Sequence, residues 1–524
     1  MKIVAASAAV VAVAAFAGTA AASSGGEAAA SSATKTSTDS SGPVAVPIPV
    51  DPRNDEVAAF IGDANATTRG PIPSDDVPQD PYLAPNGTSS THDDAYGSNT
   101  YDFSGPSGRG LTETTGYTGA EAITTTEDSA GDLVDIAETA AGTSTLQILD
   151  PTTLGLISSY SLPAATAASA LVPGGGVYFY LDNENQVVVP ARDGDILVIG
   201  ISGTTMTLDD TYDVSSYIGD GTMTSAMPDW DGNIWFVTSN GIVGFVDPSS
   251  GDVETYSLPS GESIIKSLSV DETGVYIVSD YALYKFTSSS SGDVEEVWRE
   301  AYDRGTGLKP GQLDQGSGTS PTLIGSLSST DGGYVAVNDN AEPQMDVNIY
   351  SRTSGALVCS VPVFESGESD DFNSMIAVGD NVIAENNFGY VLRSAVNGTT
   401  TRLTPDTTPG LVDIKIDPAT SSCSIKWEND SVEIPSVISK VALGNGVLYT
   451  YTHPSEATEE YSGTGEAPDA WYLTAINVRT GKTMWNKLVG TGMFYNNNYS
   501  GIFMTPGTVY VPTVAGYVRI SSGS

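Results

Sequence analysis

Polar side chains of the kind that bind ligands or move protons fall in a few short clusters along the chain. Asp339, Asn340 and Glu342 follow one β-rich run, and Glu385, Asn386 and Asn387 follow another. Asn497 stands in the third, 494–499, beside Tyr495 and Tyr499. Carboxylate and amide oxygens suit a hard cation, so Asp339, Asn340, Glu385, Asn386 and Asn497 form a candidate calcium set. The same residues are the default caps of tight turns, and turn capping is the heavier reading. For acid–base work there are two histidines, His92 in His92-Asp93-Asp94 and His453 ahead of an acidic run at 456–460. His92, Asp93 and His453 are therefore the catalytic candidates, and Ser317 or Ser320 would need one of them as a base. Spacing alone fixes no partner for either histidine. Gly316-Ser317-Gly318-Thr319-Ser320 lacks the lysine and helix of a phosphate loop. Trp471 and the Tyr495/Tyr499 pair are candidates for a sugar platform, with core packing as the heavier reading.

The elements that must position these residues announce themselves by repetition. Two alternating apolar residues, a polar corner and a turn of Asp, Pro, Ser, Thr or Gly recur at Asp150, Asp247, Ser354, Asp417 and Thr480, with the corresponding turns of two further units at about Ser202 and Ser288. From Asp150 to Asp417 five steps take 267 residues, slightly longer each than the roughly 40–50 residues of common propeller repeats. Runs such as 176–181, 234–238, 275–278, 334–337 and 447–451 read as strands, several entered through Gly turns. Each unit reads as four antiparallel strands, a propeller blade. The expected fold is all-β, a single β-propeller of eight four-stranded blades, with seven as the alternative count. The last repeat supplies three strands, so a strand near 99–103 is expected to close the ring by pairing N- and C-terminal strands.

The propeller is expected over 96–524. Residues 23–95 are rich in Ser, Ala, Thr, Pro and Asp, and read as a disordered stalk. Lys2, an Ala/Val-rich run and a small-residue stop before Ser23 read as a signal peptide over 1–22. These features make a secreted, extracellular protein the expectation. No later run is long and apolar enough to span a bilayer, so no membrane insertion is expected. With 64 acidic against 21 basic residues and a formal net charge of −43, nucleic acid and anionic membranes are excluded as partners. Cys359 and Cys423 each fall in the second strand of a hairpin phrase and are the candidate disulfide between neighbouring repeats. Asn65, Asn86, Asn397, Asn429 and Asn498 are N-glycosylation sequons.

Trp471-Tyr472-Leu473-Thr474-Ala475-Ile476-Asn477-Val478-Arg479-Thr480-Gly481-Lys482-Thr483-Met484-Trp485 resembles the repeat of quinoprotein alcohol dehydrogenase-like propellers, the pyrroloquinoline-quinone repeat superfamily. The resemblance implies that the phrase closes an outer hairpin and that its Trp docks between blades. It covers residues 120–524 as architecture and one blade as a close motif. The adjacent cysteines that those enzymes place over their cofactor are absent, so pyrroloquinoline quinone is not an expected cofactor. Calcium-dependent propeller lactonases use an Asn/Asp/Glu ring similar to the calcium set above. The expected function is a binding or interaction module, monomeric, taking a small molecule, glycan or protein on its axial face. A calcium-dependent lactonase-like hydrolase is the alternative and a degenerate quinoprotein dehydrogenase the second alternative.

Overall fold

A computed structural model describes residues 43–74, 76–139, 142–163, 176–328, 332–390, 407–454 and 469–522. The expected signal peptide and the first part of the expected stalk lie outside the described residues. Eight blades of four antiparallel strands stand radially as a β-propeller, and the sheet of blade seven carries two further edge strands. Blades one to six span 121–161, 180–213, 223–257, 269–301, 322–362 and 376–429; blade seven spans 440–491. Blade eight takes Phe503–Thr505, Thr508–Thr513 and Gly516–Ser522, with a fourth strand from the N-terminal side.

Blade three shows why these residues form this fold. Met223–Pro228, Ile234–Thr238 and Ile242–Val246 are almost wholly buried, whereas Val253–Ser257 alternates half-buried and exposed. Inner strands are sandwiched between neighbouring blades and need apolar side chains on both faces; the outermost strand needs them on one. The recurrent phrase forms the turn between third and fourth strands. Asp247 Oδ1 accepts the Ser249 amide at 2.8 Å and Gly251 turns back with φ +76°. Asp150 Oδ1 caps Thr152 and Thr153 in the same way, both at 2.8 Å.

Tryptophans on outer strands dock onto this turn in the next blade. Trp298 of blade four donates to the Arg352 carbonyl of blade five at 3.2 Å, its ring lying against Gly355. Trp427 of blade six donates to the Val478 carbonyl of blade seven at 2.7 Å, its ring against Gly481. A Cβ on Gly355 would sit 2.8 Å from the Trp298 ring, so the glycine gives the ring its seat. Cys359 and Cys423, on the outermost strands of blades five and six, are disulfide-bonded with Cα atoms 6.0 Å apart.

The ring closes with a different strand from the one expected. Leu111–Tyr117 pairs antiparallel with Gly516–Ser522 over seven residues, Leu111 opposite Ser522 and Tyr117 opposite Gly516. Thr100–Tyr101 instead pairs in parallel with Lys440–Ala442, the innermost strand of blade seven. A rim strand must run straight beside a full-length partner. The 99–103 stretch cannot, since Asn99 turns through positive φ and Thr100–Tyr101 are already paired at the axis.

The stalk reading is also corrected over 43–74 and 76–95, which form a belt and an axial plug. Phe60–Gly62 adds an outer strand to blade seven, and Ile72 and Ser74 bond to the turns of blades seven and six. The chain then enters the axis and circles it. The carbonyls of Ala95, Tyr96, Ser98 and Asn99 accept the amides of Val270, Leu323, Ala377 and Val441 at 2.7–3.1 Å, one from each of blades four to seven. These are edge amides of innermost strands, which would otherwise face an empty channel unpaired. Composition suggested disorder because this segment contributes few apolar side chains; what it contributes is backbone acceptors.

Candidate functional site

Two buried lysines organise the axis. Lys440, on the innermost strand of blade seven, donates to the Thr91 carbonyl at 2.6 Å, Asp93 Oδ1 at 2.9 Å and Asn99 Oδ1 at 2.8 Å. Tyr101 donates to the same Asp93 oxygen at 2.8 Å. A carbonyl, a carboxylate and an amide oxygen are the donors a hard cation prefers, and here the ammonium of the chain takes that place. Burial raises the Asp93 pKa to about 7 against the opposing pull of Lys440.

This geometry removes the His92–Asp93 acid–base pair. Asp93 Oδ1 is committed to Lys440 and Tyr101, while His92 is buried with Nε2 at 3.4 Å from Ser374 Oγ. Burial, then the Lys440 charge, lowers the His92 pKa to about 3, so its ring is neutral. His453 Nε2 lies 3.2 Å from Asp469 Oδ1, at the base of the loop that carries the 456–460 run; the run itself lies outside the described residues.

The loops before the innermost strands and those after the second strands meet on one face. There the structure shows where each predicted binding residue went. Asp339 caps its own turn, accepting the amides of Ala341 at 3.1 Å and Asp346 at 2.7 Å. Asn497 donates to the Pro512 carbonyl at 2.8 Å. Asn386 Oδ1 accepts the Asp370 amide at 3.1 Å, and Asn387 Oδ1 the Phe372 amide at 3.0 Å. Glu385 accepts from Asn373 at 3.0 Å and Ser439 at 2.8 Å, and burial raises its pKa to about 8. Asp339, Glu385, Asn386 and Asn497 of the calcium set therefore hold loops together. Among the described residues no group of three or more His, Cys, Asp or Glu is arranged to hold a metal ion. Of the proposed sugar platform, Trp471 and Tyr495 are buried, leaving Tyr499 half-buried.

Asn340 and Glu342 belong to something the sequence did not announce, a strap over 302–316 that crosses this face. Asn340 donates to the Arg304 and Gly307 carbonyls at 3.0 Å, and Thr306 donates to Glu342 at 2.9 Å. Gln312 Nε2 ties the strap to Asn340 Oδ1 at 2.9 Å and to Asp370 Oδ1 at 2.8 Å. Tyr499 donates to the Gly311 carbonyl at 2.8 Å.

Lys266 lies beside the strap, 6% exposed, its Nζ 3.1 Å from the centre of the Phe372 ring. Phe372, Tyr499 and Tyr390 continue from it as edge-to-face pairs at 5.7 and 5.2 Å. Burial lowers the Lys266 pKa to about 8, and burial raises Asp314 to about 6 and Asp370 to about 7. The signal for Lys266 was a lone lysine inside Ile264-Ile265-Lys266-Ser267-Leu268, a run otherwise bound for the interior.

No family model matches the chain. A curated relative, an uncharacterized protein of Archaeoglobus fulgidus, is 25% identical over 319 residues, which is 56% of this chain and 59% of the relative. The chain thus spans under two thirds of the length of that relative. Among solved structures, the computationally designed Ika8 protein aligns over 78% of this chain and 98% of its own, with 11% identity and a TM-score of 0.45.

Proposed function

We propose that this protein is an exported binding module whose recognition surface is the loop face crossed by the 302–316 strap. The observation that supports this reading is the filled axis. The channel that could admit a substrate holds residues 89–101, with Lys440 at their centre. Convergent polar and aromatic groups are left at the mouth, around Lys266, Asp370 and Tyr499. Both histidines are buried, and among the described residues His92 Nε2 meets Ser374 with no carboxylate bonded to its ring. The tryptophan docking of blades four and six supports a quinoprotein-like repeat as architecture alone.

A thermal-shift screen on the full chain tests this reading, using sugars, amino acids, dicarboxylates, lactones and primary alcohols. A ligand class that raises the melting temperature of the wild type and not of Asp370→Asn supports it. Turnover of a lactone, or of an alcohol with an electron acceptor, contradicts it. Export is tested separately by the mature N-terminus of the secreted protein, expected at Ser23.

A further inference from the structure

Lys440 carries a nucleophilic nitrogen and Asn99 an electrophilic amide carbon, and the fold brings the two together inside the axis. Lys440 Nζ lies 2.8 Å from Asn99 Oδ1, across 341 positions of chain. A carbonyl bond is about 1.2 Å long, so that contact puts Nζ no farther than about 4 Å from Asn99 Cγ. Both residues are fully buried. Asp93 completes the group: its Oδ1 accepts from Lys440 at 2.9 Å, and its Oδ2 has no hydrogen-bond partner. Burial lowers the Lys440 pKa and raises that of Asp93 to about 7, which favours a neutral amine beside a neutral acid. The amide is held from its other end, where Asn99 Nδ2 donates to the Met375 carbonyl at 2.8 Å. Lys285, another buried lysine, is placed differently. It donates to Thr273 Oγ1, the Tyr276 hydroxyl and the Arg352 carbonyl, none of which belongs to a side-chain amide.

We propose that Lys440 and Asn99 become joined by an isopeptide bond, with Asp93 as proton carrier, so that the axial segment is tied covalently to blade seven. The step balances within the chain. The Lys440 ammonium passes one proton to the Asp93 carboxylate, and the free amine attacks Asn99 Cγ. A C–N bond forms and the carbonyl electron pair moves onto Oδ1. Asp93 returns its proton to Nδ2 and takes up the one that the attacking nitrogen must lose. The electron pair then restores the carbonyl, the Cγ–Nδ2 bond breaks, and ammonia leaves. Nothing is oxidised or reduced. Two features of the site favour the step. The reacting groups are held side by side by the fold, which removes the entropic cost of bringing them together. The product also replaces a buried ammonium, costly in an apolar interior, with a neutral amide.

Tryptic digestion of the denatured full chain, read by tandem mass spectrometry, tests the inference. The expected product joins peptide 70–109, which contains Asn99, to peptide 427–479 through a Lys440 that trypsin has not cut. It is lighter than the sum of the two peptides by one ammonia. Lys440→Met and Asn99→Ala should each release 70–109 unlinked, and Asp93→Ala should lower the linked fraction at least about tenfold. Free 70–109 together with cleavage after Lys440 in the wild type overturns the inference, whether or not any variant folds. A link lighter by one water, and mapped by fragmentation to Asp93, overturns the assignment to Asn99. Undiminished linkage in Asp93→Ala overturns the proton-carrying role of Asp93.

Discussion

The ammonium of Lys440 lies 2.9 Å from Asp93 Oδ1, although the two residues are 347 positions apart in the chain. One belongs to the ring and the other to the N-terminal segment inside it, and both side chains are fully buried. Removing one member of a buried pair strands the other charge without a partner. Lys440→Met is therefore expected to lower stability by about 3–5 kcal/mol in urea unfolding. A loss below about 1 kcal/mol would mean that the segment does not reside in the axis.

Stability should fall as pH rises through neutrality. Burial raises Asp93, Asp135 and Asp370 from 3.8 to about 7, and Glu121 and Glu385 from 4.5 to about 8. Between the unfolded and folded values the native chain holds protons that the unfolded chain has lost. The stability they contribute is complete below the unfolded pKa and is lost as pH passes through 7 to 8. His92, lowered from 6.5 to about 3, acts oppositely: its contribution is present above 6.5 and is lost as pH falls toward 3. The carboxylates outnumber it, so the urea midpoint is expected to be higher near about pH 6 than near about pH 8. A higher midpoint at the alkaline value would contradict this balance.

Seating a tryptophan on a turn glycine gives a graded prediction. Gly251 and Gly481 occupy the same turn in blades three and seven, with φ +76° and +67°. A Cβ at Gly251 meets open space, whereas one at Gly481 meets the Trp427 ring. Gly251→Ala should cost about 1 kcal/mol for the left-handed backbone alone, and Gly481→Ala about 2–3 kcal/mol. Equal losses by chemical denaturation would remove the docking role of Trp427.

Reduction of Cys359–Cys423 should lower the urea midpoint by the equivalent of about 2–4 kcal/mol, since the bridge closes a loop of 64 positions. The double Ser variant should match the reduced protein, and should lose nothing further with reductant.

What the sequence made legible was whatever repeats. Asp150, Asp247 and Thr480 mark the third turn of their blades, and the cysteines sit on neighbouring outer strands as their hairpin positions require. The axis was not legible, because 89–101 is held by its carbonyls, and every residue type carries one. Leu111–Tyr117 escaped notice for a related reason. Its sequence Leu-Thr-Glu-Thr-Thr-Gly-Tyr has few apolar residues, which suits an outermost strand with solvent on one side. At the mouth, turn capping by Asp339 and Asn386 was legible as the heavier reading of those residues, and the strap was invisible because its tethers reach across blades.

Hydrogen–deuterium exchange on the full chain, read on peptides covering 89–101, tests the filled axis most directly. Segment 89–101 is predicted to exchange as slowly as the innermost strands Ser269–Asp271 and Lys440–Ala442 that it borders. Exchange as fast as that of the exposed turn at 248–252 would contradict the account, since it would leave the axis open and return the search for function to the channel.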